Sequence, residues 1–113
     1  MAEECVDITV ILVLSELSHK TMDLLGKRIR EFADIIKPSK FIFEYPSVEH
    51  GQFASGVVVK FTLENVKIWG QHLQFFNQEY DEFHNEIRGI DESIVAQVFC
   101  GEKPELNVKL GGF

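Results

Sequence analysis

The segment Asp7 to Leu14, DITVILVL, is apolar on both of its alternating faces: Ile8, Val10, Leu12 and Leu14 on one side, Ile11 and Val13 with Thr9 on the other. Successive strand side chains point to opposite sides, so such a run belongs inside a sheet covered on both faces. The rest of the chain has to supply that sheet and its covers. Ser18 offers a helix cap, and Met22, Leu25, Ile29, Phe32 and Ile36 then recur at three- and four-residue steps, which predicts a helix with one buried face. Pro38 stops it, because the residue before a proline avoids the α region, and Lys27, Arg28, Arg30 and Glu31 fall on the wet side.

Lys40 to Tyr45 (KFIFEY) reads as a second strand near an edge, ended by Pro46, with a turn over Ser47 to Gly51. Gly56 to Leu63 (GVVVKFTL) is a third strand. Val66, Trp69, Leu73, Phe76, Tyr80, Phe83 and Ile87 then form one long helical stripe, with Gly89 as its left-handed terminator. Ser93 to Phe99 (SIVAQVF) is a fourth strand, and Leu106, Val108 and Leu110 alternate in a short tail that offers one more. The order β-α-β-β-α-β predicts an α+β, ferredoxin-like domain: a four-stranded antiparallel sheet with both helices on one face and strands one and three in the middle. With 113 residues and no repeat or Pro/Gly/Ser linker, residues 1–113 read as one domain.

Two helices cover one face of that sheet. The other would carry Ile11, Val13, Ile42, Val58, Val95 and Phe99, diluted by Thr9, Glu44, Lys60 and Gln97. A face this apolar marks an interface, and two copies meeting sheet to sheet across a two-fold axis is the simplest closure. A homodimer is therefore expected; the C-terminal tail folding back over the face is the alternative.

Charge narrows the partners. The net charge of −7 opposes phosphate binding, which rests on Lys and Arg. An RNA-recognition domain shares the element order, but the third strand here, SGVVVKF, lacks its aromatic and basic motif. No nucleic acid is expected. Seven acids against Lys67 and Arg88 lie between Glu64 and Glu92, leaving five of the seven net charges there. That is the pattern of a solvated helix face, or of a dock for a basic partner through residues such as Glu79, Glu82 and Glu86. No run approaches the roughly 18–20 apolar residues of a membrane span, and the start, Met1-Ala2-Glu3-Glu4, is acidic rather than signal-like. A cytoplasmic protein with no membrane association is the expectation.

The second half of the chain resembles a known group. Ala54-Ser55-Gly56-Val57-Val58-Val59-Lys60-Phe61-Thr62 leads straight into a helix. Ile90-Asp91-Glu92-Ser93-Ile94-Val95-Ala96-Gln97-Val98-Phe99 is followed by Lys103-Pro104-Glu105-Leu106-Asn107. These segments resemble the dimeric α+β barrels of the antibiotic-biosynthesis monooxygenase superfamily, especially its YdhR-type members. The resemblance implies a homodimer that encloses an apolar or aromatic small molecule between sheet and helices. It also implies a cofactor-independent monooxygenase-like activity in which the substrate supplies the electrons. The Asn, Trp and Arg pattern of the cofactor-free oxygenases is not recognisable: the first strand has no Asn, and the single tryptophan, Trp69, lies on the second helical stripe.

Candidate site residues follow from chemistry. His72, beside the apolar stripe, is a pocket-base candidate, since histidine titrates near neutrality. Tyr45 and Tyr80 each join an apolar ring to a hydroxyl that seeks a partner. Phe41, Phe43 and Phe61 from the sheet, with Trp69 and Phe76 from the second helix, are the candidate lining of a ligand cavity; such aromatic stripes are also what plain core looks like. His19, after the Ser18 cap, reads as solvent-facing; His50, in the turn between strands two and three, reads either as lining a pocket mouth or as exposed; and His84 lies one step from Phe83 on the second helix. With no HxxxH, HxH or CxxC pair, no metal and no cofactor is expected. Strands one and four are antiparallel neighbours, which brings Cys5 towards Cys100. A disulfide is open if their Cα atoms come within about 7 Å, against two free thiols in a reducing cytosol. The competing function is a non-catalytic interaction domain that uses the acidic second helix or the open sheet face. A side-chain-filled interior would favour it.

Overall fold

A computed structural model describes residues 5–50 and 55–101. Its elements run β1 (Cys5–Leu14), α1 (His19–Ile36), β2 (Lys40–His50), β3 (Ser55–Lys67), α2 (Gln71–Ile90) and β4 (Val95–Cys100). The strands form one antiparallel sheet in the order β2-β3-β1-β4. This is the ferredoxin-like α+β arrangement, with β1 and β3 in the centre as their β-branched sequences require.

Register sorts the side chains. Val10 faces Phe61 on β3 and Val98 on β4, and Phe43 faces Phe61. That row belongs to the inner face, where Ile8, Val10, Leu12, Val59, Phe61 and Leu63 are fully buried beneath Leu25, Ile29 and Phe32 of α1 and Phe83 and Ile87 of α2. Ser18 caps α1 as its sequence predicts, its Oγ accepting the Thr21 N–H at 3.1 Å. The helix ends at Ile36, two residues before Pro38, with the capping Lys37 left-handed (φ 59°) and its N–H donated to the Ala33 carbonyl.

Four local expectations need correction. β2 does not stop at Pro46; it runs on to His50, and a register shift between Glu44 and Ser47 absorbs the proline. An edge strand tolerates a residue without an N–H at a bulge. β3 does not stop at Leu63; it reaches Lys67, so Val66 pairs with Val6 in the sheet and Trp69 precedes α2. Asn65 makes this extension possible. It turns left-handed (φ 57°), its N–H donates to the Asp7 carboxylate at 3.1 Å and its Nδ2 to Ser39 Oγ at 2.8 Å. Gly89 is not the terminator, because α2 continues to Ile90 and is closed by extended Asp91. Finally, Arg28 is not free on the wet side: its guanidinium bonds Glu86 of α2, with Nε donating at 2.6 Å, and lies over the Phe83 ring at 6.0 Å. The tail residues Leu106, Val108 and Leu110 lie outside the described residues.

Candidate functional site

Between sheet and helices the aromatic side chains meet one another. Phe32 stacks on Phe83 with ring centroids 4.7 Å apart, and both present edges to Phe61, at 6.4 and 5.9 Å. Phe41 bridges Phe43 and Phe61, at 6.2 Å from each. Phe76 and Tyr80 close the layer from α2, stacked on each other, with Phe76 tilted against Phe32 and Tyr80 edge-to-face with it. Edge-to-face and offset contacts at these separations are the packing such rings prefer. Of the expected ligand-lining residues, Phe61 is completely enclosed in this cluster, and Phe41 and Phe43 pack against it.

The clefts lie at the rims. One, of about 280 Å³, opens where the end of α1, the end of β3 and the start of α2 meet. Its apolar walls are Ile35, Ile36, Val66, Phe75 and Phe76, and Lys37, Lys67 and His72 supply its polar lining. Trp69 stands beside it with its ring edge-on to His72 at 4.3 Å. Its indole Nε1 is buried and finds no hydrogen-bond partner among the described residues. Another cleft, of about 360 Å³, lies against Phe43, Pro46, Met22 and Arg30.

The candidate residues are thus divided. His72 and Phe76 share the first rim with Trp69 close by, Phe43 lies at the second, and Phe41 and Phe61 belong to the packed interior. Tyr80 packs between Phe76, Phe83 and His84. Burial, with the charge of Asp81 adding to it, raises its phenol above the ordinary tyrosine value of 10.0. At neutral pH it is a hydroxyl donor and not a base. The Tyr45 side chain lies outside the described residues, as does that of His50. His84 leans on Tyr80, and His19 opens α1 in solvent.

Phe75 and Ile35 were missed by sequence reasoning, and so were the two lysines. A signal for Phe75 existed: it is a large apolar residue one step off the buried stripe of α2, and it is 44% exposed. No sequence signal joins Lys37 to Lys67, because the fold alone brings the end of α1 to the end of β3.

Cys5 and Cys100 are free thiols. The β1–β4 register sets Cys100 opposite Ile8, while Cys5 pairs with Lys67. Three residues of strand span about 10 Å, beyond the Cα separation a disulfide allows. Partial enclosure raises the Cys100 thiol above its ordinary value. Among the described residues, no group of three or more His, Cys, Asp or Glu side chains is placed to hold a metal ion, and no helix is long and apolar enough to cross a membrane.

The sheet face away from the helices is graded. Thr9 and Thr62 share a hydrogen bond at 3.2 Å near one end, and Ile11, between Lys60 and Gln97, is closed to solvent. At the other end Val13 lies between Val58 and Val95, and Val95 is 53% exposed. Lys60 Nζ and Glu44 Oε2 form an ion pair at 3.4 Å on the same face.

Comparison with known proteins adds little. No family model matches the sequence, and no curated protein does. Among solved structures, the de novo designed protein Foldit4 is similar at 9% identity and a TM-score of 0.49, covering 89% of this chain and 100% of its own. A second designed protein, with a ferredoxin fold, is similar at 6% identity and a TM-score of 0.45, covering 88% of each chain.

Proposed function

We propose that this chain is an interaction domain whose partner is a second copy of itself, docked through the sheet face that the helices leave uncovered. The observation that supports this most is the row Val13, Val58 and Val95, apolar across three strands on a face that neither helix covers. Aromatic side chains meanwhile fill the interior. The same face is self-complementary in charge, since the Lys60–Glu44 pair offers both signs to its two-fold copy. The acidic side of α2 is the weaker dock, because Glu86 is already held by Arg28.

Sedimentation equilibrium on the full chain tests the reading. A two-chain mass at micromolar concentration is expected, reverting to one chain in Val58→Glu with unchanged circular dichroism. A one-chain mass for the unaltered protein up to millimolar concentration sinks it, and leaves the tail as the cover.

A second reading, a small-molecule domain, is favoured by the rim clefts. They place His72 and Phe76 at one end and Phe43 at the other. An apolar ligand, and any cofactor-independent monooxygenase-like chemistry on it, would belong at a rim and not among the packed phenylalanines.

A further inference from the structure

The rim cleft at the start of α2 has a chemical character opposite to that of the chain. The protein carries a net charge of −7, yet among the described residues that line this cleft none is acidic, and the polar ones are Lys37, Lys67 and His72. The walls are apolar, and two of them, Ile35 and Phe75, are large side chains left 40% and 44% exposed. A monomer surface rarely keeps apolar bulk open beside two lysines unless something with both characters sits there. The first turn of α2 adds to the positive potential, since it carries no acidic residue and Gly70 gives its N–H groups no side-chain cap. At about 280 Å³ the space is near the lower end of ligand pockets. It suits a single ring or a short chain, not a dinucleotide or a haem.

We propose that this cleft binds a small amphipathic monocarboxylate, an aryl- or alkyl-carboxylic acid. Its apolar body lies on Phe75, Phe76, Ile35 and Val66, and its carboxylate is held by Lys37 and Lys67. His72 contributes a ring nitrogen as a further polar contact, and it stands against Trp69. The cleft lies on the helix side of the sheet, so this proposal holds for a monomer and a dimer alike and does not depend on the self-association proposed above.

Trp69 is the single tryptophan, which makes it a local reporter. The probes are 4-phenylbutyrate, 4-phenylbutanol and 4-phenylbutylamine: one apolar body carrying a negative, a neutral and a positive end. Saturable change of Trp69 emission is expected with the carboxylate, at an affinity on the order of ten-fold above the alcohol, as a charge-assisted contact supplies. The amine binds weakest. Lys37→Glu/Lys67→Glu, at two exposed positions, keeps the fold by circular dichroism and inverts the order of carboxylate and amine. Phe75→Ala weakens carboxylate and alcohol together. Equal affinity for all three probes, no saturation with the carboxylate, or an unchanged order in the double-lysine variant overturns the proposal. So does an amide-shift map that places the carboxylate at Phe43 and Met22 instead of Ile35 and Phe75.

Discussion

The two faces of the sheet are built from the same strands and share one register, yet they differ in how completely they are finished. On the inner face Val10, Leu12, Val59 and Phe61 are fully buried, in one cluster with Leu25, Ile29 and Phe32 of α1 and Phe83 and Ile87 of α2. On the outer face burial fades from Thr9 and Ile11 to Val95, and Ile11 stands between Lys60 and Gln97 while Val13, Val58 and Val95 form an apolar row. The inner face is the fold. The outer face mixes valine with the Lys60–Glu44 ion pair, and it is the face on which the proposed self-association rests.

Phe83→Ala is the strongest way to break this contrast. Phe83 is fully buried and touches Phe32, Phe61 and Tyr80, so truncation leaves a hole walled by rings that cannot all close in. A loss of about 3–5 kcal/mol is expected, read as a lowered urea midpoint at unchanged slope. A loss comparable to that of an outer-face substitution would mean that the interior is loosely packed after all. Gly56→Ala ranks next and acts between the faces, on the β1–β3 ladder itself. A Cβ there would stand 2.8 Å from the Leu14 carbonyl oxygen and 3.3 Å from Val13 Cγ1. The nearer obstacle is backbone, so the strands have to separate, at a cost on the order of 1–3 kcal/mol. Thermal unfolding measures it, and a neutral or stabilising result would show that the pairing at this end is soft.

The division into two faces was legible in the sequence because period-two alternation assigns each residue of Asp7 to Leu14 and of Gly56 to Leu63 to one side; it fails beyond Leu63, where a register shift puts Val66 on the inner face too. Order and central strands followed from the same patterns, and the α1 cap from Ser18 alone. The junction from β3 to α2 was not legible. Val66 and Trp69 sit at spacings that continue the helical stripe of Phe76, Tyr80 and Phe83, so pattern alone assigns them to the helix. What keeps Val66 in the sheet is the turn of backbone at Asn65 and its anchorage to Asp7 and Ser39, residues distant in sequence. Pro46 misled for a related reason, since a proline ends a central strand but only bends an edge one. The candidate site was half legible. His72, Trp69 and Phe76 were in view as chemistry, but the cleft that gathers two of them with Lys37 and Lys67 arises where two helix ends and a strand end converge. No local pattern records that meeting.

The smallest expected effect separates the two faces most finely. Lys60→Met removes the cation of an ion pair whose Glu44 side chain is 48% exposed. On a wet face such a pair contributes about 0–1 kcal/mol, because water and salt screen it and both chains give up rotamer freedom to hold it. In dilute protein, where single chains dominate, the substitution should move the urea midpoint by less than about 0.5 kcal/mol of stability. Concentrated protein is different if copies dock on this face. Glu44 would then be partly desolvated without its partner, and a buried unpaired carboxylate costs several times more than an exposed one. The penalty therefore grows with protein concentration, because association and folding are linked by mass action. Urea melts of Lys60→Met and the unaltered chain, run far below and far above the micromolar range in which two chains are expected to pair, read this directly. A difference that stays small at both concentrations means the outer face is finished as it stands, with water as its only partner.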